Sequence, residues 1–243
     1  MKKSTIRADK LLSSLGLTSR RRVQVYLTNN SITADGKRIM EHGDRVSPKA
    51  EIKINGSTLK RPHKVYFLLN KPKGIVSTSA DEFGRKNVVS LIKTTERIYP
   101  VGRLDRDTHG LLILTNDGEL TNNLIHPKFH IGKIYQLTIK GPVNPPQIKK
   151  LEEGIELEDG VTQPAKIVII QRRKDATIME MTIYEGKKRQ IRRMCEKVKW
   201  PLVDLQRIRF GNLELGTLKV GEYRELTGRE VEKLKDLLKK ENK

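Results

Sequence analysis

The hydrophobic positions at the start of the chain change from helical to strand spacing. Apolar residues within 8–15 recur at i, i+3, i+4 and i+7 and are followed by a glycine, which predicts a short helix. Ser19 is then expected to cap a second helix that begins with the arginines of 20–22. Alternation of apolar and polar residues near 31–34 and 51–55 predicts two short strands. This stretch therefore predicts a small α/β module.

Strand-like segments dominate the rest of the chain. The predicted strands cover residues 65–70, 111–114, 133–140, 165–171 and 177–184. One predicted helix begins near residue 119, and three more cover residues 146–153, 189–197 and 229–240. Because no βαβ alternation is sustained, the order predicts an α+β domain on a mixed, mostly antiparallel sheet.

A polar, proline-containing stretch at residues 59–63 reads as a linker, so we place two domains at 1–60 and 64–243. The first 63 residues hold 14 Lys and Arg against 5 Asp and Glu, whereas the whole chain holds 49 against 29, a net charge of +20. Charge density is thus about twice as high in the first domain. This excess favours an anionic partner, with nucleic acid first and a membrane surface second.

Several classes of protein are excluded by what the sequence lacks. A single cysteine cannot pair within the chain, and the N-terminus lacks the apolar core of a signal peptide, so we expect a cytoplasmic protein. The longest apolar runs fall far short of the roughly 18 residues of a membrane span. No nucleotide-binding or HExxH motif is found, so we expect neither a cofactor nor a metal. Cys195 belongs to an apolar helical stripe and gets no catalytic role.

Residues 102–110 form the first segment that could carry chemistry. Two carboxylates and two arginines lie there between glycines, just before an apolar strand. An aspartate at such a junction can be anchored and exposed at once, and a neighbouring cation favours the ionised form that a nucleophile needs. Spacing alone favours a structural turn, however, and does not choose between Asp105 and Asp107.

Residues 184–194 form the second segment, a strand end followed by a basic helix start. With Ile191 at the centre of the apolar face, an advance of about 100° per residue puts Arg192 at the edge of that face. Arg192 could therefore reach into a site. The other basic residues suit RNA phosphates or a solvated face: Lys187, Lys188, Arg189 and Arg193.

Three consecutive arginines in the first domain are also candidates for RNA binding: Arg20, Arg21 and Arg22. In the first turn of a helix they oppose the positive end of the helix dipole, and a phosphate would offset that cost. The alternative is a solvated basic turn.

Taken together, these segments resemble the ribosomal pseudouridine synthase family, which joins an S4-type RNA-binding domain to a catalytic domain. The S4-type pattern is matched by residues 7–12, 19–21 and 35–36. The catalytic domain's strand-turn signature, GRLDxxTxGL loop, K-x-Y segment and basic third motif are matched by residues 69–74, 102–111, 133–135 and 185–194. The resemblance covers nearly the whole chain.

The resemblance implies that Asp105 is the nucleophile, that Tyr135 stacks on the target uracil and that Arg192 pairs with Asp105. Arg103 would hold the RNA after the target base has flipped out of its stack. The implied reaction turns a uridine of rRNA into pseudouridine without a cofactor or metal. The residues at 19–21 and 189–193 favour large-subunit rRNA, and the resemblance implies a monomeric protein.

Other readings stay open at this point. The same chemistry could act on small-subunit rRNA or tRNA, or the chain could be a non-catalytic ribosome-assembly protein that binds RNA. An rRNA methyltransferase has less support, because no glycine-rich cofactor loop follows a strand.

Overall fold

The computed structural model describes residues 4–79 and 84–239, and the chain divides into two compact units. The first unit runs to residue 65 and also includes residues 94–97 and 116–118. The second unit comprises residues 66–93, 98–115 and 119–243.

Short helices and strands build the first unit. Its elements are β1 (Ile6–Arg7), α1 (Ala8–Ser14), α2 (Val23–Asn29), β2 (Ile32–Ala34), β3 (Lys37–Arg38), β4 (Arg45–Val46), β5 (Ile52–Ile54) and β6 (Ser57–Thr58). Strands β3, β2, β5 and β6 form an antiparallel sheet in that order, and β1 pairs with β4. The apolar face of α1, with Leu11 and Leu12, packs in a buried cluster with Val23 and Ile32. The predicted first helix and both predicted strands are confirmed.

The predicted start of the second helix is wrong. Ser19 makes no side-chain cap, and Arg20–Arg22 form a 3-10 turn in which the N–H of Arg22 donates to the carbonyl of Ser19 at 2.9 Å. Helix α2 begins only at Val23. Because the exposed arginines precede the helix, the dipole argument for a phosphate at this point does not hold.

A large mixed sheet forms the frame of the second unit. Its strands are β7 (Tyr66–Lys71), β8 (Tyr99–Pro100), β9 (His109–Thr115), β10 (Lys133–Lys140), β13 (Lys166–Arg172), β14 (Ala176–Ile183), β15 (Leu202–Phe210), β16 (Leu213–Glu214) and β17 (Tyr223–Glu225). The order is β13-β14-β10-β15-β9-β7-β17, with β16 against β15 and β8 against β9. Only β9 and β15 pair in parallel among the described strands, so the predicted mixed, mostly antiparallel sheet is confirmed.

Four helices and one hairpin complete the second unit within the described residues. They are α3 (Gly118–Ile125), α4 (Pro145–Glu153), the hairpin β11 (Glu156–Leu157) and β12 (Gly160–Val161), α5 (Gln190–Lys197) and α6 (Gly228–Leu237). Each helix lies where the sequence predicts one, but α6 ends at Leu237, before the predicted end at residue 240, which lies outside the described residues. None of the described helices is long and apolar enough to cross a membrane.

Strand β15 is the longest of the elements that the sequence analysis missed. It lies in the middle of the sheet, between β10 and β9. An inward position is taken by Arg207, which is 3% exposed and donates its Nε to the carbonyl of Leu111 at 2.7 Å. A charged residue at an inward position breaks the apolar alternation by which a strand is read from sequence.

Candidate active site

A buried lysine holds the loop that contains Asp105. Lys71, at the end of β7, is fully buried, and its Nζ donates to the carbonyls of Pro72, Asp105 and Thr108 at 3.0, 3.1 and 2.9 Å. Burial lowers the pKa of Lys71 to about 8, although the negative charges of Asp105 and Asp107 oppose that shift. The sequence analysis treated Lys71 only as part of a motif, and nothing in its spacing marks it as buried.

The turn after β7 holds the same loop at two further points. The Ser77 hydroxyl donates to the Leu104 carbonyl at 2.7 Å and accepts from the Leu104 N–H at 3.1 Å. Gly74 donates its N–H to the carbonyl of Arg106 at 2.7 Å and has a φ of +85°. Residues on both sides of Asp105 are therefore fixed through their backbone.

Gly110 fixes the far end of the loop against β15. A Cβ atom at this position would lie 2.3 Å from the carbonyl oxygen and 2.8 Å from the nitrogen of Arg207, and φ is +104°. Only glycine allows the two backbones to come this close at the parallel pairing of β9 and β15.

The loop, β10 and α5 enclose a cleft of about 750 Å³. Asp105, Tyr135 and Arg192 all line it. Tyr135 is 8% exposed and lies on β10 between Met181 of β14 and Arg207 of β15. The structure thus brings the three predicted catalytic residues together, although its contacts do not test their roles.

Arg192 forms its ion pair with Asp107, not with Asp105 as the resemblance implied. Its Nε lies 3.2 Å from Oδ2 of Asp107, and its Nη2 donates to the Asp107 carbonyl at 3.1 Å and to the Thr108 hydroxyl at 3.2 Å. The Nε contact lacks hydrogen-bond geometry, so it is purely an ion pair. Among the described residues, the Asp105 carboxylate makes no ion pair within 4 Å. The expected pairing is therefore corrected, because Arg192 reaches the next acidic residue of the loop.

Arg189 also contacts Asp107. Its Nη1 lies 3.3 and 3.4 Å from the two carboxylate oxygens. Arg189 immediately precedes α5 with a φ of +51°, an unusual conformation for a residue other than glycine. The turn around it is held by Gln190, which is 3% exposed and donates to Glu185 at 2.6 Å.

Lys187 and Arg193 hold the β11–β12 hairpin instead of facing the solvent. Lys187 Nζ donates to the carbonyls of Asp159, Gly160 and Val161 at 3.1, 2.9 and 3.0 Å. Arg193 binds both carboxylate oxygens of Asp159 at 2.9 and 3.0 Å, and these bonds hold the pKa of Asp159 below its ordinary value. Their role as RNA ligands stays a prediction, and the structure shows them engaged within the protein.

Two predicted RNA ligands stand free at the cleft. Arg103 and Lys188 are exposed, line the cleft and have no ion pair within 4 Å in the part of the chain that the structure describes. They are the cations that a phosphate can reach without displacing a protein group.

Two more cations, Lys133 and Arg207, lie near Tyr135 on β10 and β15. Burial lowers the pKa of Lys133 to about 8, and the nearby charge of Arg207 acts in the same direction. Arg207 also leaves its Nη2 without a hydrogen-bond partner. The sequence analysis named Lys133 only as the first residue of the K-x-Y segment and did not name Arg207.

Cys195 is fully buried, and burial raises its pKa to about 12. A thiol in this environment is not a nucleophile, as the helical stripe predicts. The described residues hold no group of three or more His, Cys, Asp or Glu side chains that could bind a metal ion.

A second cavity, of about 500 Å³, lies in the first unit. It is lined by Arg7, Asp9, Arg20, Arg21, Gln24 and His42. Asp9 is 5% exposed and forms ion pairs with Arg20 at 3.0 Å and Arg7 at 3.3 Å. Arg22 lies next to this cavity in sequence but does not line it.

Comparison with known proteins identifies the class. Residues 65–197 match the family model for RNA pseudouridylate synthase. The chain is 42% identical to ribosomal large subunit pseudouridine synthase B of Bacillus subtilis, over 95% of this chain and 96% of that protein. It is 34% identical to the dual-specificity RNA pseudouridine synthase RluF of Escherichia coli, over 94% of this chain and 78% of that protein.

A solved structure agrees with these relatives. The crystal structure of a pseudouridylate synthase superposes with a TM-score of 0.69 at 30% identity and covers 94% of this chain and 99% of that chain. The chain therefore belongs to the RNA pseudouridylate synthase family and is an RNA-modifying isomerase.

Proposed function

We propose that the protein converts a specific uridine of large-subunit rRNA into pseudouridine. The observation that carries this proposal is the cleft, in which an aspartate, a buried tyrosine and an arginine converge. The likeness to ribosomal large subunit pseudouridine synthase B over nearly the whole chain supports the choice of RNA.

The reaction breaks the N1–C1′ glycosidic bond, turns the base and joins C5 to C1′. N1 gains a proton and C5 loses one, so no redox partner or cofactor is needed. Asp105 acts in its ionised form, by attack on C6 or C1′ or by assisting a glycal. Tyr135 supplies an aromatic face for the flipped base, and such stacking offsets part of the cost of unstacking.

The basic residues supply the affinity for RNA. Arg103 and Lys188 are placed to contact the backbone near the flipped nucleotide, whereas Arg21 and Arg22 present exposed charge in the first unit. We propose that residues 1–60 act as an S4-type RNA-binding domain and residues 64–243 as the catalytic domain. We place the protein in the cytoplasm as a monomer.

The test of the catalytic role compares Asp105→Asn with Asp175→Asn. Asp175 lies between β13 and β14, outside the cleft, and the change removes the same charge. Because C5 must lose its hydrogen, release of tritium from RNA that contains [5-³H]uridine reports the reaction. We expect Asp105→Asn to abolish release and Asp175→Asn to retain it. Full release from Asp105→Asn would make the assignment of Asp105 wrong.

The substrate is tested in cells that lack the protein. Carbodiimide mapping of pseudouridine in their rRNA and tRNA should show one missing site in large-subunit rRNA. A missing site in small-subunit rRNA or tRNA would overturn the choice of RNA. No missing site would favour a ribosome-assembly role.

A further inference from the structure

Asp107 lies at the edge of the cleft without a part in the proposed chemistry. Its carboxylate faces two arginines, with Arg189 Nη1 at 3.3 Å and Arg192 Nε at 3.2 Å. Its side chain is 49% exposed, so the cluster stands in water. The Asp107 carboxylate resembles a phosphate in its negative charge and in its acceptor oxygens. Arginines that bind the one can therefore bind the other.

The two arginines are held unequally. Arg192 is 15% exposed, and two further bonds join it to the Asp107 carbonyl and the Thr108 hydroxyl. Arg189 is 43% exposed, and Asp107 is its only acidic partner within 4 Å among the described residues. An incoming anion can therefore take Arg189 from Asp107 while Arg192 stays on the loop.

Exposure also makes the contact between Arg189 and Asp107 weak. Exposed ion pairs contribute little to stability, and these distances lie at the long end for a charge-assisted bond. Arg189 lines the cleft, where RNA must pass to reach Asp105. A guanidinium binds phosphate through two parallel N–H groups, which is a better match than the present contact.

We propose that Asp107 occupies, in the RNA-free protein, the place of an RNA backbone phosphate on Arg189. The phosphate displaces the carboxylate when RNA enters the cleft. The inference rests on the proposed function only in that RNA is the ligand. It explains why a second acidic residue, besides Asp105, lies among the basic residues at the cleft.

The test measures RNA affinity of the full-length chain for polyuridylic acid and for a large-subunit rRNA transcript at several salt concentrations. Asp107→Asn should raise the affinity about three- to tenfold, because no carboxylate competes for Arg189. Asp107→Glu, which keeps the charge, should stay within about twofold of the wild type. Asp175→Asn controls for the loss of one negative charge elsewhere.

The decisive comparison is made in the Arg189→Gln background. There Asp107→Asn should have no effect, since the contested arginine is gone, and Arg189→Gln alone should lower the slope of log affinity against log salt by about 0.7 on polyuridylic acid. A gain that persists in this background would mean general repulsion and would overturn the proposal, as would unchanged or lower affinity of Asp107→Asn.

Folding and catalysis of each variant are measured in separate experiments. Thermal unfolding should show each variant folded, and Asp107→Ser serves in place of Asp107→Asn if that variant does not fold. Affinity for polyuridylic acid does not require turnover, whereas tritium release does. If the wild-type protein released no tritium while the variants showed the expected affinity changes, the proposed function would be overturned and this inference would stand.

Discussion

Asp9 in the first unit and Asp107 in the second each face two arginines, but the two clusters differ in exposure. The Asp9 side chain is 8% exposed and lies 3.0 Å from Arg20, whereas the Asp107 side chain is 49% exposed and its contacts are longer. Burial would raise the pKa of Asp9, but the bonds from Arg20 and Arg7 outweigh it and hold the pKa below its ordinary value.

The buried Asp9 cluster is a fixed structural support, whereas the exposed Asp107 cluster is a contact that a ligand can replace. Arg20 is tied to a buried carboxylate, so it shapes the cavity wall, while its neighbours Arg21 and Arg22 remain free of ion pairs among the described residues. In the second unit the ion pair between Asp107 and Arg189 is exposed to solvent, so Arg189 remains available to bind an anion. Net charge alone would count all these arginines as equivalent.

The largest effect is expected for Arg192, which lines the cleft and is less exposed than Arg189. Arg192→Gln should lower kcat about 100-fold, a typical loss when one preorganised charged group is removed from an active site. Arg193→Gln should lower kcat less than about threefold, because Arg193 holds Asp159 and does not line the cleft. Tritium release at saturating RNA measures both. Equal losses would contradict the division of roles between these neighbours.

The second effect concerns pH. Lys71 has a pKa of about 8, and its neutral amine has two N–H groups for three carbonyls, so the Asp105 loop loosens as pH rises. If only the form with protonated Lys71 is active, kcat at pH 9 should be about a tenth of its value at neutral pH. Lys133 has a similar pKa, so Lys133→Met is the control and should keep the alkaline fall. If the fall disappears in that variant, Lys133 is its cause.

Stability should change in the opposite direction over the same range. Because the pKa of Lys71 is lower in the folded protein than the ordinary 10.5, the unfolded chain binds more protons between about pH 8 and 10.5. The contribution of Lys71 to the free energy of unfolding therefore rises with pH in this window. Hydrogen exchange of β7 amides, compared between wild type and Lys71→Met, measures it. A parallel loss of stability and activity would contradict this assignment.

A smaller effect is expected for the free arginines of the first unit. Arg21→Gln with Arg22→Gln should raise KM about three- to tenfold without changing kcat, because each loses a phosphate contact. Arg38→Gln, an exposed change on β3, is the matched control. A change in kcat would show that these residues act on more than binding.

The smallest effect is expected for Asp9→Asn. Since Arg7 and Arg20 are about half exposed, the loss should be on the order of 0.5–1 kcal/mol of local stability, read from exchange of α1 amides. The contribution of Asp9 is present above about pH 3.8 and is lost as pH falls through its lowered pKa. A difference between wild type and variant at pH 7 that narrows as pH falls below 3.8 would bear this out, whereas a difference that does not change with pH would contradict it.

Local spacing was sufficient to predict the presence of the described α-helices and of the long strands other than β15, because their apolar residues recur regularly or form continuous runs. Most described strands of two or three residues were missed, because they are too short to show such a pattern. It also placed Arg192 correctly at the edge of α5. Strand β15 was missed because Arg207 takes an inward position, where its charge is balanced by a carbonyl far away in sequence.

The contacts that shape the site could not be predicted in the same way. Lys71 lies in a turn-like stretch and looks solvated, yet it is buried by residues more than thirty positions away. The partner of Arg192 depends on how the loop closes, which spacing does not determine. The resemblance therefore indicated the correct residues for the cleft but the wrong ion pair.

The hydrogen bonds from Lys71 to the loop affect how enzymes of this family can change their RNA specificity. Its three acceptors are main-chain oxygens, which every amino acid carries. Side chains at positions 106 and 107 can therefore change to suit another RNA while the backbone keeps Asp105 in place. A scaffold of this kind separates the positioning of the nucleophile from the recognition of the strand, so new specificity can arise without rebuilding the catalytic centre.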